Sequence, residues 1–456
     1  MIESALIGIF CLGYLAITLE HNIKIDKAAS ALLTGVVCWV LVVFNADTLV
    51  NAFPDDSMLK FNFLAHGDTA LHFFTGELRH HLGEIAEILF FLLGAMTVVE
   101  LIDAHDGFQL ITSRIRTRKK TALMWIISLL SFFLSAVLDN LTTTIVMVSL
   151  LRKLIDSKED RWLFAGLVII AANAGGAWSP IGDVTTTMLW IGGQITAGSI
   201  IPSIFIESVV CLAVPLLVLQ FKLKGDVQSP PKIASGQHGE RTTERERLTV
   251  FALGIGCLVF VPIFKTATHL PPYMGMLFGL GVLWLTTEIL HRKKNTEEKA
   301  PLSVVAVIRK IDTPSILFFL GILIAIGALQ SAGTLVAMAT GLQEQLNDIN
   351  LIAIAIGGLS AIVDNVPLVA ASMGMYEVSN AAAVGDWNQY FVQDGYFWHL
   401  LAYCSGTGGS MLIIGSAAGV AAMGLEKITF GWYLKHMSLL ALLGYLAGAA
   451  VFIAIH

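Results

Sequence analysis

The chain of 456 residues is 55% hydrophobic and only 14% charged, with a net charge of -6 and a mean hydropathy of +0.75. Soluble domains carry about 25% charged residues, so this composition excludes a soluble protein and indicates an integral membrane protein. The five cysteines fall in no paired spacing and no basic block is interleaved with aromatics. Neither a disulfide framework, a metal site nor nucleic-acid binding is therefore indicated.

The first quarter of the chain predicts membrane helices separated by an irregular segment. Apolar stretches predict helices over about Ser4–Thr18, Ala28–Phe44 and Glu87–Ile102. Because Glu3 stands where a signal peptide would be basic, we expect the first of these helices to be retained. Residues 51–84 mix Pro, Gly, His and aromatics without a clean apolar face, and we predict an interfacial loop with short helices there.

A long apolar stretch at 121–151 carries Asp139 and Asn140 past its middle. The basic runs RIRTRKK and LRKLIDSKEDR flank it, so the positive-inside rule places both of its ends in the cytoplasm. A stretch of about 30 residues is too long for one simple crossing and suits two half-depth helices. We therefore predict a re-entrant hairpin with the Asp-Asn pair near its tip; the alternative is one full crossing plus a surface helix.

The next segment, 161–190, predicts a helix broken at NAGGAWSPIGD, because three glycines and Pro180 cluster where a continuous helix is disfavoured. Another crossing is predicted at Ala197–Phe221. The polar stretch at 224–247 then divides the chain, and its mixed charge predicts a poorly ordered cytoplasmic linker.

The second half, 248–456, repeats this organisation with different flanking charges. Between Asp312 and Glu426 there is no Lys or Arg, so the loops of that region are predicted to face outward. The predicted elements are helices at about Leu248–Phe264, Tyr273–Leu290, Ile316–Leu329 and Ser438–Ile455, a second hairpin at 351–375 with Asp364 and Asn365, and a second broken helix at 398–423.

Three landmarks recur in the same order in the two halves, 1–223 and 248–456. They are ILFFL at 88–92 and 316–320, LSA-x-x-DN at 134–140 and 359–365, and GG-x-x-x-x-IG at 175–182 and 408–415. Their offsets of 228, 225 and 233 residues are nearly constant, which indicates an internal duplication. Since the first hairpin has basic flanks and the second acidic ones, we predict inverted repeats, an architecture typical of secondary transporters.

The aspartates are the strongest functional candidates. A charge at membrane depth costs at least about 2.5–3.5 kcal/mol, so it is a functional candidate by default. Asp139 and Asp364 occupy equivalent places in the two repeats, and Asp183 follows the break of the first broken helix. The structural alternative is that these residues only cap helices, although Asn would cap a helix without introducing a charge.

Amides and hydroxyls near the aspartates complete the candidate ion- and proton-binding set. Oxygen ligands from broken helices suit Na+, Li+ or H+, and no intramembrane Lys or Arg is present to hold an anion. A Na+ site is expected from Asp139, Asn140, Asp183, Asp364 and Asn365. Each hydroxyl could instead bond its own backbone, and Asn173 could bridge backbone groups at the break. The further candidates are Asn140, Thr143, Asn173, Thr185, Thr186, Asn365, Ser410 and Ser416.

Two further features are ambiguous. Glu207, within an apolar helix, suits a proton site, but it has no partner in the other repeat, and an interface or subunit contact is the preferred interpretation. The pair His80 and His81, in RHHLGE, lacks the HExxH order of a zinc protease. We expect an exposed or interfacial patch at this pair, with pH sensing as its possible role.

Four motifs, VLDNLTTTIVM, NAGGAWSPIGDVTTTMLW, AIVDNVPL and GTGGSMLIIGSAAG, closely resemble those of NhaD-type sodium/proton antiporters of the ion transporter superfamily. The resemblance runs from TLEHNIKIDKAA to the last helix. It implies a homodimer in which each protomer has a scaffold domain and a transport domain with two opposed hairpins, working by an elevator-like movement. Dicarboxylate transporters of the same fold carry Ser-Asn-Thr at their hairpin tips. Asp-Asn at both tips of this chain favours a cation.

The predicted function is exchange of Na+, and of Li+, for H+ by a non-enzymatic, multi-pass protein of the cell inner (plasma) membrane, with no cofactor. Two alternatives remain open at this point. An oxyanion, arsenite or carboxylate transporter of the same fold would need a neutral or cationic site, which three aspartates disfavour. An intramembrane aspartyl hydrolase would need two carboxylates that share a water, and it leaves the inverted repeats unexplained.

Overall fold

A computed structural model describes the chain except for residues 1, 54–59, 62, 65–68, 113–114, 116, 229–241, 363 and 380–386. The described part is a helical membrane protein, and within it the extended pairing consists of isolated β-bridges. Eight of the described helices are long and apolar enough to cross a membrane: Lys27–Phe44, Ala70–Ala104, Lys120–Leu138, Ala197–Lys222, Glu244–Thr268, Pro272–Leu290, Thr313–Ser331 and Ser438–Ile455.

The remaining described helices are not among these eight candidates, and several of them occur in pairs separated by a break. Those of ten residues or more are Ile2–Thr18, Asn140–Leu154, Lys158–Ala177, Thr334–Leu346, Ile349–Leu359, Asn365–Met375, Tyr396–Gly408 and Ala417–Glu426. Those of fewer residues are Glu20–Ile23, Ala46–Ala52, Gln109–Thr112, Val184–Ile191, Thr296–Lys299, Val304–Ile308 and Phe430–His436, with 3-10 turns at Ala300–Leu302 and Trp387–Phe391.

Three sequence expectations are corrected by these bounds. Residues 70–84 belong to the helix Ala70–Ala104, whose 35 residues make it the longest in the described part of the chain. The helix Thr334–Leu346 was not predicted, because its polar end, GLQEQL, obscures the apolar pattern. The helix predicted from Leu248 begins at Glu244, where Thr243 and Glu246 form a capping box.

The described residues divide into two compact units by their internal contacts. The first consists of Met1–Leu89, Asp312–Ile352 and Val366–Val392, and the second of Phe90–Ile311, Ala353–Asn365 and Gln393–His456. Each unit therefore draws on both halves of the sequence.

The first unit is built on close packing of Lys27–Phe44 against Thr313–Ser331. A Cβ added at Gly35 would lie 2.6 Å from the carbonyl oxygen of Gly321, so only glycine allows this approach of the two backbones. Trp39 Nε1 donates to the carbonyl of Ile324 at 2.9 Å across the same contact.

In the second unit, the first hairpin consists of Lys120–Leu138 and Asn140–Leu154, separated by the single residue Asp139. Lys120 N donates to the carbonyl of Gly225 at 3.0 Å, and Asp156 N donates to that of Gln228 at 2.8 Å. Both outer ends therefore lie beside one short extended segment, so the chain returns to the side from which it entered. Both ends of the predicted linker are ordered, and its middle lies outside the described residues.

Residues at corresponding positions of the recurring motifs make similar contacts in the second unit. Ser135 Oγ donates to the carbonyl of Ala172 at 2.6 Å, and Ser360 Oγ donates to that of Ser405 at 3.0 Å. A Cβ at Gly175 would overlap the carbonyl oxygen of Phe132, and a Cβ at Gly408 would overlap that of Gly357. Each hairpin thus packs on its broken helix through backbone contact, which fixes the position of its tip.

Candidate functional site

Asp139 lies at the tip of the first hairpin in a rare backbone conformation, with φ 87° and ψ 159°. Such a conformation costs of order 1–3 kcal/mol for a residue with a Cβ. Asp139 Oδ1 accepts a hydrogen bond from Thr142 N at 2.7 Å, and Oδ2 accepts one from Thr142 Oγ1 at 2.9 Å. The carboxylate therefore caps the second helix, as the structural alternative expected, and in doing so its charge is held at a helix N-terminus.

Asp183 lies where the tips of both hairpins meet. It caps Val184–Ile191, and Oδ1 accepts hydrogen bonds from Thr185 N at 3.0 Å and Thr185 Oγ1 at 2.9 Å. Asn140 Nδ2, from the first hairpin, donates to Asp183 Oδ2 at 2.6 Å. Asn365 Nδ2, from the second hairpin, makes a longer contact of 3.5 Å with Oδ1. The side chain of Asp183 is almost completely buried.

Asn173 joins the two broken helices through side chains. Its Oδ1 accepts from Asn140 Nδ2 at 3.1 Å, and its Nδ2 donates to Ser410 Oγ at 2.9 Å and Ser416 Oγ at 3.0 Å. Asn173 is fully buried, and the bridging of backbone groups expected as an alternative is replaced by these side-chain bonds. Oxygens from both repeats are thereby brought into one network around Asp183.

The remaining predicted site residues differ in how they relate to this network. Asp364 directly precedes Asn365, whose amide contacts Asp183, and Asp139 lines the same cavity as Asp183, so the three carboxylates share one region of the unit. Thr143 is buried, and its hydroxyl has no hydrogen-bond partner within the described part of the chain. Thr186 Oγ1 instead donates to the backbone carbonyl of Asp183 at 2.9 Å, which is the local bonding expected of many threonines.

A small cavity of about 20 Å³ lies between Asp139 and Asp183, with Thr187 beside them. This volume accommodates about one water-sized occupant. The rest of its wall is mostly apolar and comes largely from three membrane helices outside the hairpins, through Phe91, Leu92, Ala95, Met96, Leu258 and Met276. Sequence reasoning missed this wall, because an apolar side chain facing a cavity cannot be distinguished by type from one facing lipid.

Glu426 ties the end of the first hairpin to the second broken helix. Its carboxylate accepts from Arg152 Nε at 2.7 Å and from Arg161 Nε at 3.0 Å. Glu426 is buried, whereas Arg152 is half exposed. The two arginines, predicted only as part of a basic flank, thus hold the outer end of the hairpin in place.

Replacement of Glu426 by Gln is expected to lower the free energy of unfolding by about 1–3 kcal/mol, because two arginines lose their anionic partner. The expected loss is below that of a fully buried pair since solvent screens Arg152. Thermal unfolding in detergent measures it. Glu344→Gln is the control, because Glu344 is exposed in the last turn of another helix. Equal melting temperatures for both variants would contradict a stabilising role of the Glu426 ion pairs.

Glu207, His80 and His81 differ in their burial and their contacts. Glu207 is 1% exposed, on a helix that packs against Ser438–Ile455, so it lies inside the folded chain and not on its surface. His80 is exposed and lies 3.3 Å from Glu84, but His81 is buried and contacts Ser331 Oγ at 3.1 Å. The expectation of an exposed patch is therefore wrong for His81. Within the residues described, no group of three His, Cys, Asp or Glu suited to a metal ion occurs.

Comparison with known proteins places this arrangement in a family. Residues 14–392 match the family described as "Citrate transporter" (CitMHS). "Sodium/proton antiporter 1" of Arabidopsis thaliana is 47% identical over 456 residues, covering 100% of this chain and 73% of the relative. "Sodium/proton antiporter 2" of the same plant is 44% identical, with 98% of each chain covered. "Na(+)/H(+) antiporter NhaD" of Alkalimonas amylolytica is 30% identical over 98% of this chain and 89% of the relative.

The three relatives match nearly the whole chain, including the hairpins and both broken helices, whereas the family match ends at residue 392, before the second broken helix. The chain therefore belongs to the CitMHS family of membrane transporters, and it is similar along nearly its whole length to proteins named as sodium/proton antiporters.

Proposed function

We propose that the protein is a secondary transporter that exchanges Na+ for H+ across a membrane. The observation that carries the proposal is the convergence on Asp183 of amides from both hairpin tips, beside a cavity that Asp139 also lines. The names of the relatives support the same ions. Carboxylates and side-chain oxygens in a buried, mostly apolar setting are suited to a small cation or a proton.

Exchange follows from competition for the same oxygens. A Na+ ion in the cavity is stabilised by ionised Asp139 and Asp183 and disfavours their protons; protonation removes the charge that holds the ion. The amide nitrogen of Asn140 donates to Asp183 Oδ2. The amide oxygen of the same side chain is an acceptor and could bind the ion. If only the loaded or protonated site crosses the membrane, the two gradients are coupled.

We also propose that Li+ is transported, and we propose how the protein moves and how it assembles. We expect Li+ to be carried along with Na+, because a cavity of about 20 Å³ excludes a larger hydrated ion but not a smaller bare one. The similar contacts of Ser135 and Ser360 support a duplicated architecture. For the transport step we propose an elevator-like movement of the hairpins and broken helices. A homodimer in the cell inner (plasma) membrane completes the proposal.

The family description names citrate, so a carboxylate substrate is the second candidate. Citrate carries up to three negative charges and is held in proteins by Arg, Lys or several backbone N–H groups. Among the described residues that line the cavity, the charged groups are Asp139 and Asp183, both anionic. The site would therefore repel citrate, which favours the cation.

Asp139→Asn is expected to abolish Na+-dependent proton movement, because Asn retains the cap on Thr142 but carries no charge to hold the ion or release a proton. Proteoliposomes with an inside-acid pH gradient and a pH-sensitive dye, given NaCl, LiCl, KCl, arsenite or citrate separately, measure this loss. Na+ and Li+ should dissipate the gradient in the wild type and leave it unchanged in the variant.

Asp312→Asn is the matched control. Asp312 caps Thr313–Ser331 through Ser315 N and Ser315 Oγ, the same pair of bonds that Asp139 makes with Thr142, but it is exposed. This variant should transport like the wild type. Proton movement driven by citrate or arsenite, or an Asp139→Asn protein as active as the wild type, would overturn the cation site.

A further inference from the structure

Two buried histidines that the sequence analysis did not single out lie face to face at the ends of two membrane helices. His105 directly follows Ala70–Ala104, and His291 directly follows Pro272–Leu290. Their Nε2 atoms are 2.8 Å apart and their rings stack with centroids at 5.0 Å. Both side chains are almost fully buried, with exposures of 0% and 1%. Such a short distance between two ring nitrogens requires one proton between them.

The surrounding hydrogen bonds decide which of the two rings donates that proton. His105 Nδ1 lies 2.7 Å from the carbonyl oxygen of Leu101, which only accepts, so His105 carries a proton on Nδ1. In the uncharged pair, His105 Nε2 is then the acceptor, and His291 Nε2 is the donor. His291 Nδ1 must therefore be without a proton when the pair is neutral.

In the neutral pair, the unprotonated nitrogen of His291 therefore lies beside the carboxylate of Glu246. His291 Nδ1 has no hydrogen-bond partner within the described residues, and it lies 3.8 Å from Glu246 Oε1. Two acceptors facing each other repel, whereas a proton on Nδ1 would turn the same contact into an ion pair. The geometry thus provides a place for one further proton.

The other charges around the pair come from each element packed against it. Lys294, in the loop after His291, donates to Glu246 Oε2 at 2.9 Å. Asp106, in the turn after His105, and Lys299, at the end of the short helix Thr296–Lys299, also act on the pair. Arg247, on the helix of Glu246, bonds Thr242, whose hydroxyl donates to the carbonyl of His105 at 3.3 Å.

The cluster joins the ends of the three helices that form much of the apolar wall of the ion cavity. Met96 on Ala70–Ala104, Leu258 on Glu244–Thr268 and Met276 on Pro272–Leu290 all line that cavity. Met96 lies nine residues before His105 in the sequence, which corresponds to roughly 14 Å along a helix. A change in how tightly the helix ends are held is therefore transmitted through rigid helices to the wall of the cavity.

We infer that His105 and His291 form a second proton-binding site, distinct from the ion site, and that a proton bound between His291 and Glu246 tightens the three helix ends and slows exchange. The inference rests on the proposed Na+/H+ exchange. Its ligand is a proton from the aqueous phase on the side of the basic runs at 114–120 and 291–294.

The electrostatics set the range in which the site acts. Burial, the neighbouring His105 ring and Lys294 lower the pKa of His291 to about 4, against the opposing effect of Glu246. Burial also lowers the pKa of His105. The pair is therefore uncharged at neutral pH and takes up its proton only in acid, so exchange is slowed on the acid side and unaffected at neutral and alkaline pH.

The test measures exchange of radioactive Na+ across proteoliposomes at equal pH on both sides, with saturating Na+. Saturating Na+ suppresses competition by protons at the ion site, so the remaining acid inhibition reports the second site. The wild-type rate should fall by up to about tenfold per pH unit once His291 is charged. His291→Gln, which keeps an N–H donor for His105 but takes up no proton, should keep its neutral rate in acid.

Glu246→Gln is the second variant, because glutamine preserves the capping box with Thr243 and removes the carboxylate. It should also lose the acid inhibition. His269→Asn, at the exposed left-handed end of the same helix, is the control and should behave like the wild type. Acid inhibition that persists in both cluster variants, or is absent from the wild type at saturating Na+, would overturn the inference.

Nitrogen NMR of labelled histidines in the wild type provides a readout independent of transport. The His291 ring should become charged over the pH range in which exchange slows, and a ring that stays neutral there would contradict the site. A wild type that moves no Na+ at any pH would instead overturn the proposed function, and the ring titration would then decide the proton-binding part by itself.

Discussion

Asp183→Asn is expected to reduce Na+/H+ exchange about 100-fold or more. Without the Asp183 carboxylate, a Na+ ion in the buried site would lack a compensating negative charge. This loss should weaken Na+ binding by about 3 kcal/mol, which corresponds to roughly two decades in affinity. Asparagine still accepts from Thr185 N and still caps Val184–Ile191, so the local fold is retained. Binding of Na+ to purified protein, measured by calorimetry alongside the proteoliposome assay, should be lost together with exchange.

The matched control for Asp183 is Asp394→Asn. Asp394 accepts from Thr196 N at 2.6 Å and from Thr196 Oγ1 at 2.8 Å, the same kind of pair that Asp183 makes with Thr185. It lies outside the cavity lining and should leave Na+ binding unchanged. If Asp183→Asn bound Na+ normally while exchange was lost, Asp183 would serve only the proton and the shared-site mechanism would be wrong.

Substitution of Gly175 or Gly408 by Ala is expected to be the most damaging change to stability. In each case the added methyl group would overlap a backbone carbonyl of the facing hairpin, Phe132 or Gly357. A backbone atom cannot move aside as a flexible side chain does, so the loss should reach at least about 3 kcal/mol, the upper end of typical overpacking costs. Thermal unfolding in detergent and yield of monodisperse protein measure it.

Gly256→Ala is the control for both glycine variants. Gly256 lies within the helix Glu244–Thr268, and a Cβ there would meet no atom within 4 Å. Alanine should be neutral or slightly stabilising at that position because it is the better helix former. If Gly175→Ala melted at the same temperature as Gly256→Ala, the close packing of the hairpin on its broken helix would be wrong.

Parts of the site could be predicted because polar groups stand out against an apolar background. Asp139, Asp183 and Asn173 are costly at membrane depth, so their presence alone marks them as functional candidates, and the structure joins all three to the same region. Thr186 illustrates the limit of this reasoning. Its type suits an ion ligand, but its hydroxyl donates to the backbone carbonyl of Asp183, and only coordinates distinguish the two outcomes.

Other parts could not be predicted, because they depend on contacts between distant residues. His105 and His291 are 186 residues apart, and neither stands in a recognisable motif. The apolar wall of the cavity, including Met96 and Met276, carries no signal, because lipid and protein interiors favour the same side chains. Of the helix Ala70–Ala104, only the part from Glu87 was predicted, because the polar stretch RHHLGE before it lacks the apolar pattern of a membrane span.

The sequence by itself determined that this is a polytopic membrane protein, since hydrophobicity sets which segments enter a bilayer, and its recurring motifs predict an internal duplication. It also determined which few residues bring charge into the membrane. Only the tertiary structure decided that Asn140 and Asn365 both reach Asp183, that Glu426 holds two arginines, and that the Nε2 atoms of His105 and His291 lie 2.8 Å apart. The physical reason is that such contacts depend on backbone approaches that glycines such as Gly175 and Gly408 permit, and composition and spacing do not encode which surfaces meet.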